Sequence, residues 1–186
     1  MWKDERWTRE VAFGKPVFSF VGWLRENVYA SGVLFVLRLY LGWSWFEAGL
    51  HKLGGFDASG YLKGALAKTA GEHPDVPSWW AAFIDGFALP NVGLFNFLVP
   101  WGEILVGLGL LLGCFTTAAV FFGAVMNFAF MFSGTLSTNP QMVLLSIFIL
   151  VAGANAGRFG LDRWVVPYVR ARWGKTPERV RSDSVA

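Results

Sequence analysis

Residues 92–133 read VGLFNFLVPWGEILVGLGLLLGCFTTAAVFFGAVMNFAFMFS, with one charged side chain, Glu103. A helix rises about 1.5 Å per residue, and ~20 apolar residues cross the ~30 Å hydrocarbon core of a bilayer. The stretch is too long for one crossing and long enough for two. Cys114-Phe115-Thr116 divides it, predicting an antiparallel hairpin of spans Val92 to Gly113 and Thr117 to Ser133. Upstream lies a further apolar run from Gly32 to Leu53, and downstream another from Gln141 to Ala156. The last two spans are short and are expected to extend by a turn. Gly134 to Pro140 joins them as a tight turn. The pattern predicts an all-α membrane protein, a four-transmembrane-helix antiparallel bundle.

Composition agrees. Hydrophobic residues make up 54%, aromatics 17% and charged residues 16%, with mean hydropathy +0.44; soluble domains carry about 25% charged residues. So much apolar surface excludes a largely disordered chain and argues against a water-soluble monomer. One cysteine, Cys114, excludes a disulfide framework, a CxxC relay and an all-Cys iron–sulfur site. Two histidines, His51 and His73, leave little material for a metal centre or a bis-His haem, so neither is expected.

Charge sets the orientation. Lys3, Arg6, Arg9, Lys15 and Arg25 precede the first span; Arg158, Arg163, Arg170, Arg172, Lys175, Arg179 and Arg181 follow the fourth. Together they are twelve of the sixteen basic residues, and the 54–91 loop holds only Lys63 and Lys68. The positive-inside rule then predicts a multi-pass plasma-membrane protein with both termini cytoplasmic, and an even number of spans gives the same parity. Nucleic acid is a poor partner for this basic charge, which lies beside a membrane surface and suits anionic headgroups. A homo-oligomer is compatible with the glycine-rich spans, but their spacing alone does not specify one.

Three segments flank the spans. Residues 1–31 form a cytoplasmic segment whose apolar stretch Val17 to Leu24 is too short to cross and lacks a cleavage site. It reads as an interfacial helix with Phe18, Val21, Trp23 and Leu24 toward lipid. Residues 158–186 form a basic tail, with a second interfacial helix from Phe159 to Trp173 and disorder expected from Gly174. The outer loop, 54–91, holds two short helices. One is capped by Asp57 with Tyr61, Leu62, Ala65 and Leu66 on one face; the other starts at an N-cap Ser78 and carries Trp79 and Trp80. Glu72 to Pro77 is a turn between them. The loop forms either a lid over the bundle or a surface-lying anchor.

Polar groups inside the spans need a reason, because a charge at the bilayer centre costs about 2.5–3.5 kcal/mol on insertion scales. Depth sorts them into two layers. Arg38, Asn155, Arg158 and Asp162 fall at the cytoplasmic end. Glu47, His51, Lys52 and Glu103 fall in the outer half, and Asn127 lies near the middle. Glu47 and His51 share a helix face; Arg38 and Glu47 lie half a turn out of phase and should not pair. The functional reading makes Glu103, Glu47 and His51 candidate catalytic groups handling protons, with Arg38, Lys52, Asn127, Asn155, Arg158 and Asp162 as binding or structural layers. The plainer reading makes Glu103 with Lys52, and Arg38 with Asp162 or Asn155, packing glue. Gly42, Gly49, Gly102, Gly107, Gly109 and Gly113 are expected to let helices approach closely. Pro100 is expected to kink span two just before Glu103.

At these positions the chain resembles the DoxX/DoxD family of four-helix bacterial and archaeal membrane proteins. The resemblance runs from about Val36 to Val166. It rests on Arg38-Leu39-Tyr40-Leu41-Gly42 followed by Phe46, Gly49 and Lys52; on Gly102-Glu103 with Gly107 and Gly113; on Asn127-Phe128 before Ser133-Gly134; and on Asn155-Ala156-Gly157-Arg158 before Leu161-Asp162. It implies a DoxX-like transmembrane domain over residues 32–157. It also implies a quinone-linked redox role of the thiosulfate:quinone oxidoreductase type, with quinone as substrate and a separate redox partner subunit. A non-catalytic scaffold or assembly partner of a redox complex is the alternative. Solute transport is a third, though no inverted repeat is evident.

Overall fold

The computed structural model describes residues 15–70, 72 and 74–173 and is all-helical, with no strand among them. The elements are α1 (Lys15–Glu26), α2 (Val28–Leu53), α3 (Ala58–Ala67), α4 (Ser78–Phe83), α5 (Val92–Leu112), α6 (Thr116–Phe132), α7 (Asn139–Ala152) and α8 (Asp162–Trp173). A wide π turn, Ile84–Ala88, follows α4, and a 3₁₀ turn, Gly153–Gly157, extends α7. Residues 1–14, His73 and the tail from Gly174, with the basic residues assigned there, lie outside the described residues.

Three helices are long and apolar enough to cross a membrane: α2, α5, and α7 with its extension. A shorter apolar helix, α6, accompanies them. They alternate in direction, so the junctions 27–28, 113–115 and 157–162 share one end of the bundle, here the terminal end. The 54–91 and 133–138 connections share the other, the loop end. Large side chains such as Val36, Trp43, Leu105, Phe122 and Ile147 are exposed around the outside, as a hydrocarbon-facing surface requires.

Small residues bring α2 and α5 together. A Cβ at Gly49 would lie 2.8 Å from the Pro100 carbonyl oxygen, and one at Gly107 would lie 2.7 Å from the Phe46 Cα. Contact this close comes from backbone approach and dispersion, which drive helix association where lipid is as apolar as the helices. α5 runs unbroken through Pro100, whose carbonyl packs on Gly49. The helices gather on a core that includes Leu34, Leu41, Trp45, Leu110, Val120 and Ile149.

Helix starts explain the boundaries. α2 begins four residues before Gly32 because Asn27 caps it, its Oδ1 accepting from the Tyr29 N–H at 2.7 Å. That cap breaks the chain between α1 and α2. Leu24, expected toward lipid, is instead buried in the core, while Trp23 stays exposed; the break turns this side of α1 onto α7. Asp57 caps α3 as expected. The Ser59 hydroxyl, with the Ser59 and Gly60 N–H groups, holds its carboxyl below the usual carboxylate range. Ser78 does not cap α4: Pro77 occupies the N-cap position and no side chain caps the helix.

The 54–91 connection covers the loop end. Ala58, Leu62, Ala65, Val76, Ile84 and Ala88 form a second core, packed by Val92 and Phe95 from the start of α5. The Ala58 N–H donates to Asn96 Oδ1 at 2.8 Å, and the Trp80 indole N–H donates to the Ser133 hydroxyl at 2.9 Å. Lys68 donates to the Gly134 carbonyl at 2.7 Å. These bonds tie the cap to α5 and to the α6–α7 turn.

Candidate functional site

Glu103 is the deepest carboxylate in the described bundle, only 1% exposed. Lys52, from the last turn of α2, donates to both of its oxygens at 2.8 and 2.7 Å. The same ammonium lies 5.7 Å from the centre of the Phe130 ring. An ion pair, its hydrogen bonds and an aromatic face therefore share one position, which makes a charge tolerable in so apolar a setting.

Glu47 and His51 do not join this pair. Their side chains are 53% and 80% exposed, and they face each other at 3.8 Å on the outside of α2. Lys52 is one residue beyond His51, about 100° around the helix, and that rotation separates the inward cation from the outward pair. The expected outer layer of four, Glu47, His51, Lys52 and Glu103, thus divides into a buried ion pair and a surface pair. Asn127 is fully buried on α6, with neither amide atom hydrogen-bonded.

Arg38 occupies the terminal end and is also 1% exposed. One terminal nitrogen donates to the Phe159 carbonyl at 3.0 Å, and the guanidinium carbon lies 5.2 Å from the Phe35 ring centre. Nε and Nη1 have no hydrogen-bond partner. The Asp162 carboxylate forms no salt bridge with the cation; its oxygens accept from the Phe115 and Thr116 N–H groups at 2.6 and 2.9 Å. Phe115 sits at φ 51, a left-handed conformation costing a non-glycine residue about 1–2 kcal/mol, and the Asp162 bonds offset it. Gly113, at φ 63, and Gly160 leave the room for the guanidinium; a Cβ on either would collide with Nη1.

Asn155, expected beside Arg38, instead donates to the Leu24 and Asn27 carbonyls at 2.8 and 3.0 Å. The broken turn at Asn27 leaves those carbonyls facing α7, and the amide satisfies them. Arg158 is exposed. The expected inner layer is therefore two neighbouring devices: an arginine cradle with Asp162, and an amide staple on the α1–α2 junction.

A groove of about 770 Å³ runs along α5 and α6, from Cys114 and Phe115 at the terminal end to Trp80 and Phe83 under the cap. Small residues, Gly102 and Gly109 on α5 and Ala118 and Ala129 on α6, form much of its floor. Exposed Leu105, Leu112, Phe122 and Val125 form its rims, so it opens sideways toward hydrocarbon. Phe130 lines it, with Tyr61 edge-on at 6.0 Å between ring centres. Sequence reasoning read the glycines as contacts between helices. Gly102 and Gly109 do make such contacts, with Met126 and Ala119 of α6, and the small residues of α6, Ala118 and Ala129, line the groove beside them. Among the described residues no group of three His, Cys, Asp or Glu side chains could hold a metal ion.

Three long apolar helices and a shorter fourth, packed around buried charges, define a multi-pass membrane protein. The DoxX family model matches residues 33–136, more than half of the chain, and the protein belongs to the DoxX family. That match covers Arg38, Lys52, Glu103 and Asn127 and ends before Asn155 and Asp162. No curated protein and no solved structure matches the chain.

Proposed function

We propose that the protein crosses the plasma membrane four times with both termini in the cytoplasm, and that it is the quinone-binding membrane subunit of a redox system. The groove carries this reading. It is apolar, bilayer-long and open to the hydrocarbon, as a prenyl tail requires, and Phe130, which lines it, lies 5.7 Å from the Lys52 ammonium. The electron donor belongs to a partner subunit; thiosulfate or a related sulfur compound is the donor suggested by the family resemblance. α6, at 17 residues, spans about 26 Å and serves as the shortest of the four crossings.

Native-membrane particles of the purified protein should contain near-stoichiometric isoprenoid quinone on lipid extraction. Ala118→Phe, which fills the groove from α6, should lower that content about tenfold while the protein stays folded. Recovery of phospholipid alone, unchanged by Ala118→Phe, would overturn the reading. One observation favours the second reading, a scaffold or assembly partner: Glu103 is already paired through both oxygens, and Glu47 and His51 face away from it. In that case the groove holds ordinary acyl chains.

A further inference from the structure

Helix register places Asn127 beside the Lys52–Glu103 pair. On the α5–α6 hairpin a Cβ at Gly102 would lie 3.4 Å from Met126 Sδ, and one at Gly123 would lie 3.0 Å from Val106 Cγ1. Glu103 and Asn127 are the next residues after Gly102 and Met126, and both are buried. On the other side of α5, Gly49 packs against Pro100 and Ile104, which brings Lys52 to the same level. Phe130, three residues after Asn127, has the Lys52 ammonium over its ring and also lines the groove. One level of the bundle thus holds an ammonium, a carboxylate and a fully buried amide with no partner for its nitrogen or its oxygen.

A buried amide without partners is rare in proteins and calls for an explanation. Packing does not supply one, since an aliphatic side chain would fill the space without burying polar atoms. The chemistry points to a ligand. The amide nitrogen can donate to a carbonyl, and its oxygen can accept from a hydroxyl. Lys52 spends two donors on Glu103 and has a third. A quinone ring offers carbonyls, and its reduced form offers hydroxyls. Phe130 packs against the core and meets an edge contact from Tyr61 and the Lys52 cation at this point, so a ring that swings toward the groove gives up those contacts.

We propose that Lys52, Glu103 and Asn127 form a headgroup site behind the groove, that Phe130 is its door, and that the site takes the carbonyl-bearing ring of a prenylated quinone. This rests on the groove reading above, and the test separates the two. Full-length protein in nanodiscs of defined phospholipid is titrated with a menaquinone bearing a geranylgeranyl tail, and with geranylgeraniol, which has that tail and no quinone ring. The wild-type chain should bind the quinone about tenfold more tightly, a difference of about 1.4 kcal/mol. Asn127→Leu should erase most of that preference and leave geranylgeraniol binding unchanged; Asn127→Ala should do the same if the leucine variant folds poorly. Phe130→Ala should quicken quinone association at least about threefold. A preference that survives both Asn127 variants overturns the headgroup site while the groove reading stands. An unchanged association rate in Phe130→Ala removes the door. If neither probe binds, or Ala118→Phe alters neither, the groove reading falls and the headgroup site falls with it.

Discussion

Arg38 and Lys52 are fourteen residues apart on α2, so both cations face the bundle interior from nearly the same helix side, about 21 Å apart along the axis. The two ends hold their charges differently. At the loop end one carboxylate takes two of the three ammonium donors, and the lysine keeps 26% side-chain exposure. At the terminal end the guanidinium is enclosed by Gly113, Gly160, a carbonyl and a ring, with no carboxylate among the described residues paired to it. A compact ammonium suits a single strong partner, whereas a planar, weakly hydrated guanidinium can be spread over several weak ones. The loop end should therefore fail when charge is unbalanced, and the terminal end when shape is altered.

The largest effect is expected from shape. Gly113→Ala adds a Cβ that collides with Arg38 Nη1 and lies 2.8 Å from the Gly160 Cα, at a left-handed φ of 63. The conformation alone costs about 1–2 kcal/mol, and displacing a buried cation should bring the loss to about 4 kcal/mol or more. Gly54→Ala, at φ −77 with its nearest neighbour 3.7 Å away, is the matched control. Thermal unfolding of the two variants in one detergent checks this. Equal midpoints would show that the cradle yields more easily than its packing implies.

Charge comes second. Lys52→Met leaves the Glu103 carboxylate buried without its cation, and breaking such a pair costs about 3 kcal/mol. Lys52→Met combined with Glu103→Met removes both charges and should recover most of that loss, because replacing a whole buried pair by apolar groups is often neutral. If the double variant is as unstable as the single one, shape rather than charge governs the loop end too, and the contrast with Arg38 disappears.

The sequence shows depth well and azimuth poorly. Counting residues from the span ends put Glu103 level with the last turn of α2, and Lys52 meets it there. Glu47, His51 and Lys52 all satisfied that count. Only the packed face of α2 chooses among them, and Gly42 and Gly49, seven residues apart, mark that face. Lys52 lies three residues past Gly49 and shares it; Glu47 and His51 do not. The Asn155 contacts were not legible, because their carbonyls are turned inward by a helix break at Asn27. Nor was the groove, whose lining combines α5, α6 and the cap. Helix existence follows from local hydropathy; these features follow from rotations of whole helices that no local pattern encodes.

The smallest effect tests that azimuth most directly. Glu47 and His51 are on the outer side of α2, 53% and 80% exposed, with 3.8 Å between their charged atoms. Their attraction exists only while the imidazole is protonated, and exposed pairs of this kind contribute little. Glu47→Gln and His51→Gln should each leave stability within about 0.5 kcal/mol of wild type, and bound quinone unchanged. Substitution at Glu103 or Lys52 should move both quantities, so one set of purified variants contrasts the two sides of a single helix. A tenfold fall in bound quinone on losing His51 would place the acid–base chemistry on the outer face of α2. That face would then have to be covered by another chain, since an imidazole open to solvent and headgroups cannot hold a ring against exchange with lipid.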